Sequence, residues 1–149
     1  MNGSVSVFEL DEVSESRAAS IYSLLNQLSA SSYLFTLKEL TAIVESPATH
    51  LFIAECDGAT VGMLTVGEYL APTGRKMWIE DVVVDESFRG RSIGRMLVGY
   101  AMDFAEKSGG GTLMLTSRPS RVAANALYRS CGFEPKETNM YRMAIKGKL

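Results

Sequence analysis

Apolar residues recur along this chain with two periods, near two and near 3.6, and the switches between them mark out its elements. Val5 to Leu10 alternates as a short strand would. From Ser14 to Leu28, Ala18, Ile21, Leu25 and Leu28 fall at helical spacing, so an amphipathic helix is expected there. Thr36-Leu37-Lys38-Glu39 has the spacing of a capping box, in which the two polar residues satisfy free N–H groups of a helix start. Pro47 closes the helix that follows. Leu51 to Cys56 and Val61 to Leu70 are rich in β-branched and apolar residues and are joined by Asp57-Gly58, a hairpin turn signal. Lys76 to Val84 is a further strand after the Pro72-Thr73-Gly74 break, which predicts a three-stranded antiparallel meander.

The second half reads as a β-loop-α-β-α unit. Ile93, Leu97, Tyr100, Ala101 and Phe104 share one helical face until Gly109-Gly110-Gly111 ends it. A strand from Thr112 to Ser117, a helix from about Ser120 to Cys131 and a last hairpin strand near Asn139 to Ile145 follow. The order is that of a mixed α/β chain without internal repeat or low-complexity linker.

Composition narrows the classes of function. With 149 residues the chain suits one core better than two, and 46% hydrophobic against 21% charged residues is ordinary for a globular protein. No apolar run approaches the roughly 20 residues of a membrane span. Met1 to Val13 carries acids and shows neither a secretory signal nor a transit peptide, so a cytoplasmic location is expected and a membrane partner is not. A formal net charge of −2 is the wrong balance for a protein that neutralises many nucleic-acid phosphates. Cys56 and Cys131 lie far apart and His50 is the chain's one histidine, so metal-ligand spacing is absent and no metal is expected. Both cysteines read as small buried residues, His50 as a surface or satisfied histidine, and the eight methionines as core fillers.

Candidate chemistry lies in Ile79 to Arg95, "IEDVVVDESFRGRSIGR". A strand that delivers the chain through small residues to a helix start presents several free N–H groups to one point, which makes an anion site. Gly90 and Gly94 permit close approach, Ser92 can serve as N-cap, and Arg89, Arg91 and Arg95 add charge, so a diphosphate is the natural ligand. An ordinary strand-to-helix turn with solvated arginines has the same spacing. Neither a nucleotide P-loop nor a full dinucleotide fingerprint is present.

Arg89-x-x-Ser92-x-Gly94 resembles the cofactor loop, Gln/Arg-x-x-Gly-x-Gly/Ala, of the GNAT superfamily of N-acetyltransferases, departing from it at Ser92 in place of the usual glycine. Ala124-Asn125-Ala126-Leu127-Tyr128-Arg129-Ser130-Cys131-Gly132-Phe133 is similar to a second signature of that family, Ala-x-x-x-Tyr-x-x-x-Gly-Phe. The resemblance covers about Leu51 to Arg142. It implies a GNAT fold, a mixed and mostly antiparallel sheet of six or seven strands flanked by four helices, with residues 1–149 forming a single N-acetyltransferase domain.

It further implies acetyl-CoA as co-substrate and transfer of its acetyl group to a primary amine, of a small molecule or a protein, by direct attack. Val82, Val83 and Val84 would lie along the pantetheine arm, with the Val82 N–H polarising the thioester carbonyl. Arg89, Gly90, Arg91, Ser92, Ile93, Gly94 and Arg95 would cradle the pyrophosphate. Glu80 is the expected base, working through water; if the strand is regular, Asp81 points to the opposite face. Both acids could equally be strand-edge carboxylates. Tyr128 matches the tyrosine that protonates the leaving thiolate, or is a core aromatic; Asn125 bonds the pantetheine or caps a neighbour. Trp78, Tyr33, Phe35 and Tyr69 wall a cleft or belong to the core. Many family members dimerise through C-terminal strands, so a homodimer is compatible with the resemblance. A non-catalytic acyl-CoA-binding module is the rival class, and the retention of Glu80 and Tyr128 argues against it.

Overall fold

The structure, a computed structural model, describes residues 3–30 and 33–148. Its order is β1 (Val5–Glu9), α1 (Glu15–Leu28), α2 (Leu37–Glu45), β2 (Thr49–Cys56), β3 (Ala59–Ala71), β4 (Gly74–Val84), α3 (Ile93–Lys107), β5 (Thr112–Met114) and α4 (Val122–Ser130). The strands form one sheet in the order β1-β2-β3-β4-β5. The first four are antiparallel and β5 joins β4 in parallel. Among the described residues no helix is long and apolar enough to cross a membrane.

Local chemistry accounts for most boundaries. The Ser14 hydroxyl accepts from the Arg17 N–H at 3.0 Å and starts α1. At α2, the Glu39 carboxylate accepts from the Thr36 N–H at 2.8 Å and from the Thr36 hydroxyl. Asp57 and Gly58 both take positive φ, 50° and 80°, the conformation a two-residue hairpin needs between right-twisted strands.

Alternation along the central strands builds a core on each side of the sheet. Leu51, Ile53, Met63 and Val83 face α1 and α2 and pack with Ile21, Leu24, Leu25 and Leu40. Phe52, Ala54, Leu64, Val66, Met77 and Ile79 face the other way, under Ile93, Leu97, Val98 and Ala101 of α3 and Tyr128 of α4. Gly62 lets α3 sit close: a Cβ there would come within 3.2 Å of Leu97 and of the Val83 carbonyl.

The sheet has five strands among the described residues, not the six or seven implied by the resemblance. β5 stops at Met114 instead of Ser117, and residues 133–148 form no helix or strand. Tyr141, Met143 and Ile145 alternate as a strand would, yet all are more than four-fifths exposed. Alternation specifies a face but supplies no neighbour, and a strand exists only where a partner ladder receives its N–H and C=O groups. The methionines are also divided: Met63 and Met77 are core, whereas Met96, Met102, Met140 and Met143 are exposed.

Phe52 is fully buried and meets Tyr100 and Phe104 edge-on, with ring centroids 4.8 and 5.5 Å away. Phe52→Ala should therefore cost about 3–5 kcal/mol, read as a lowered midpoint of urea unfolding. A loss below about 1 kcal/mol would mean that this centre is not packed as described.

Candidate active site

The sheet opens where β4 and β5 part. They pair only at Lys76–Trp78 with Thr112–Met114, so from Ile79 onward the outer edge of β4 has no strand beside it. α3 and α4 flank this gap. Gly94, in the first turn of α3, has no Cβ where one would meet Leu127 of α4 at 3.3 Å and Val84 at 4.0 Å.

A bulge interrupts β4 at this place. Thr65 pairs with Glu80 and Met63 with Val83, so Leu64 alone opposes both Asp81 and Val82. Asp81 takes the left-handed conformation, φ 52°, that accommodates the extra residue. Met77 and Ile79 face α3 and α4; in an unbroken strand Asp81 would follow them into that core, but the bulge moves it out and Val82 and Val84 pack there instead. The expectation that Asp81 lies on the face opposite Glu80 assumed a regular strand, and the bulge removes that assumption. Both carboxylates are exposed, and neither has an ion-pair partner among the described residues. Partial desolvation raises the pKa of Glu80, and the charge of Asp81 raises it further; desolvation alone raises Asp81.

Trp78 shares the face of Glu80, two residues away, half-buried, with its Nε1 3.5 Å from the Tyr69 hydroxyl. Tyr33 and Phe35 lie elsewhere, lining with Glu15, Tyr22 and Thr36 a hollow against α1. The four aromatics thus divide between two places.

Beyond β4, the Asp85 carboxylate accepts from the Ser87 N–H at 2.9 Å and from its hydroxyl at 2.7 Å, which holds its pKa down. Gln27 of α1, which carries no sequence signal, accepts from the Glu86 N–H at 2.9 Å and ties that helix to the loop. Phe88 lies under the Arg91 guanidinium, 4.9 Å from ring centroid to Cζ. Ser92 occupies the N-cap position of α3 with φ 61° and ψ 22°, and its side chain makes no cap hydrogen bond. It caps by position only, in the backbone conformation for which glycine is usual. The N–H groups from Gly90 to Arg95 have no protein acceptor among the described residues, so Ile93, Gly94 and Arg95 present the bare first turn of a helix.

Three expected site residues are engaged with the protein. Arg95 turns to α4, where it donates to the Ser130 hydroxyl at 2.6 Å and lies 3.7 Å from Cys131 Sγ. Cys131 is thereby half-buried, not buried like Cys56. Asn125 donates to the carbonyls of Arg118 and Arg121, both at 2.9 Å, and so closes the turn before α4. Tyr128 is 7% exposed and packs against Phe133; its hydroxyl has no hydrogen-bond partner among the described residues. Burial raises its pKa, and Arg121 offsets part of that rise. One further group carried no signal in the sequence: Ser117 Oγ, just past β5, is buried without a hydrogen-bond partner among the described residues. Among the described residues no group of three or more His, Cys, Asp or Glu is arranged to hold a metal ion.

Comparison with known proteins adds the following. Residues 17–133 match the model of the acetyltransferase (GNAT) family. The chain is 35% identical over 89 residues to N-alpha-acetyltransferase RimI of Mycobacterium tuberculosis, an alignment covering 60% of this chain and 54% of that protein, about half its length. It is 30% identical over 129 residues to glucosamine 6-phosphate N-acetyltransferase 1 of Oryza sativa subsp. japonica, covering 78% and 74% of the two chains. A putative acetyltransferase from Agrobacterium tumefaciens superposes with a TM-score of 0.81 at 25% identity, over 93% of this chain and 99% of that one.

The left-handed conformation costs an L-residue roughly 1–2 kcal/mol, and the greater freedom of glycine in the unfolded chain takes back roughly 0.5–1. Ser92→Gly should therefore stabilise the protein by about 0.5–1 kcal/mol, a rise in melting temperature of about 1–4 °C, whereas Ser92→Ala should give no gain. Equal midpoints for the glycine and alanine variants would show that Ser92 is unstrained.

Proposed function

This chain belongs to the acetyltransferase (GNAT) family, and from that premise we propose that it transfers the acetyl group of acetyl-CoA to a primary amine by direct attack within a ternary complex. One observation carries the reading: the unpaired edge of β4, with Glu80 on it, leads straight into the bare N-terminal turn of α3. Residues 1–149 serve as one acetyltransferase domain in this proposal.

The residues fit such a co-substrate. The free N–H groups of Gly90 through Arg95 suit a pyrophosphate, with Arg89 and Arg91 adding charge. Val82 to Val84 offer main-chain groups to an amide-bearing arm, and Ser117 Oγ is a second unused partner. Arg95 and Asn125 act here as braces, holding α4 and its entry turn in place. Acetyl-CoA supplies the activated acetyl group.

The chain's own groups manage charge and protons. Glu80 takes the proton from the incoming ammonium, directly or through water, and leaves a neutral amine able to attack. Its raised pKa brings it nearer to neutrality than an ordinary glutamate and makes it a better base. Asp81 keeps that pKa up and favours a cationic acceptor. The Val82 N–H, beside the bulge, stabilises developing negative charge on the carbonyl oxygen. Tyr128, kept protonated by burial, donates its hydroxyl proton to the sulfur as the C–S bond breaks, and the proton that the attacking nitrogen sheds on becoming an amide restores the phenol. The amine belongs to a small molecule or a protein.

Thiol release measured across a panel of primary amines, after acetyl-CoA but not ATP has been shown to raise the melting temperature, tests the reading. Glu80→Gln should lower kcat by roughly 10²–10⁴ while acetyl-CoA affinity stays within about twofold. The acid limb of kcat/KM should lie above the ordinary glutamate range, because Glu80 must lose its proton to act. Asp81→Asn should move that limb to lower pH by removing the neighbouring charge. Undiminished turnover in Glu80→Gln would remove the base from this scheme.

A further inference from the structure

A row of charged side chains crosses the sheet on the face covered by α3, away from the bulge. His50 Nδ1 lies 2.8 Å from Glu9 Oε2 on β1, and Nε2 lies 2.9 Å from Glu68 Oε2 on β3. Glu68 Oε2 also accepts from Arg75 Nη2 on β4 at 2.8 Å. Arg75 Nη1 then donates to the Ser108 hydroxyl at 2.9 Å and to the carbonyls of Ser108 at 3.4 Å and Gly110 at 3.3 Å. Four strands and the turn leading into β5 are joined in one chain of contacts.

Its far end is the closed end of the gap between β4 and β5. Gly111 lies so near that a Cβ there would come within 2.7 Å of the Arg75 carbonyl, and the parallel pairing starts at the next residue, Thr112, with Lys76. Arg75 thus holds Ser108 to Gly110 at the start of the three-residue ladder whose other end, Trp78 with Met114, is where β5 departs from β4.

His50 sits at the middle with a side chain only 16% exposed and the Phe104 ring 4.4 Å from its own. Ionised carboxylates only accept hydrogen bonds, so the two ring nitrogens must both donate, and only the imidazolium does that. Burial opposes ionisation of Glu68, but hydrogen bonds from Arg75 and His50 outweigh it and hold its pKa down. On α3, Asp103 and Lys107 line with Glu9 and Phe104, the neighbours of the ring, and with Tyr100 and Ser108 a cavity of about 280 Å³.

We propose that protonated His50 is a positioning residue: through Glu68 and Arg75 it sets the closed end of the β4/β5 gap, so that acetyl-CoA affinity depends on its protonation. The proposal rests on the acetyl-CoA reading above. Loss of one proton leaves an imidazole lone pair facing a carboxylate oxygen; one contact becomes repulsive, and the hold of Glu68 on Arg75 changes with it.

Because His50 is the chain's one histidine, its ring nitrogens are followed by NMR without assignment. From about pH 5 to about pH 8, the amide signals of Gly109, Gly110 and Gly111 should move with the midpoint of the imidazole, before any ligand is added. Over the same step the Kd for acetyl-CoA should rise about fivefold. His50→Lys, permanently cationic in this range, should keep the tighter Kd throughout, and His50→Gln the weaker one throughout. Glycine signals and Kd that stay still while the imidazole loses its proton would overturn the proposal. If the ring keeps both protons across the range, a His50→Gln Kd equal to that of the wild type would do so. Absence of acetyl-CoA binding at every pH would instead remove the functional reading, and the glycine signals would then decide this proposal alone.

Discussion

One extra residue in β4 controls what the rest of the site is able to be. With Leu64 opposite both Asp81 and Val82, the alternation of the strand is reset in its middle. Before the reset, Met77 and Ile79 fill the core under α3; after it, Val82 and Val84 do. Without it, a carboxylate would enter that core unpaired, at a cost of several kcal/mol, and Val82 would be turned away from it. The bulge therefore decides packing and exposure together. It keeps the core apolar on one face and leaves two acids side by side at an open strand edge.

The loop after β4 depends on the same economy of backbone. A run of unpaired N–H groups at a helix start requires that the chain reverse sharply and start the helix at once, and Ser92 performs the reversal in a conformation disfavoured for its residue type. Packing holds it there: Ile93 is buried in the core, close to Gly62 of β3, while Gly94 leaves room for Leu127. Side chains named by position in the loop have other duties. Arg95 reaches α4 and Arg91 rests on Phe88, so what the loop leaves unpaired is mostly main-chain N–H.

What the sequence disclosed was what local chemistry determines. The Thr36–Glu39 pair, the Asp57-Gly58 turn and the apolar faces of α1 and α3 are readable because each is settled by residues within a few positions. The bulge was not readable, since "IEDVVV" has the same letters whichever register it takes against β3. Nor was the row through His50, whose members lie 41, 18 and 7 positions apart and meet only through diagonal pairing across strands. The segment from Asn139 to Ile145 was misread for the complementary reason. Its pattern is that of a strand, and pairing is a property of the whole sheet. Of the candidate site, the succession of strand, loop and helix start was legible, and the engagement of Asn125 with two carbonyls was not.

Trp78 is the chain's one tryptophan, and it stands two residues before Glu80 on the same face of β4, half-buried beside Tyr69. Indole emission shifts in wavelength with the polarity around the ring. The protein therefore carries an unlabelled optical probe on β4, beside the two acids, with no second indole to dilute its signal. Anything that settles over that strand, or drives water from it, is written into the colour of the protein's own fluorescence.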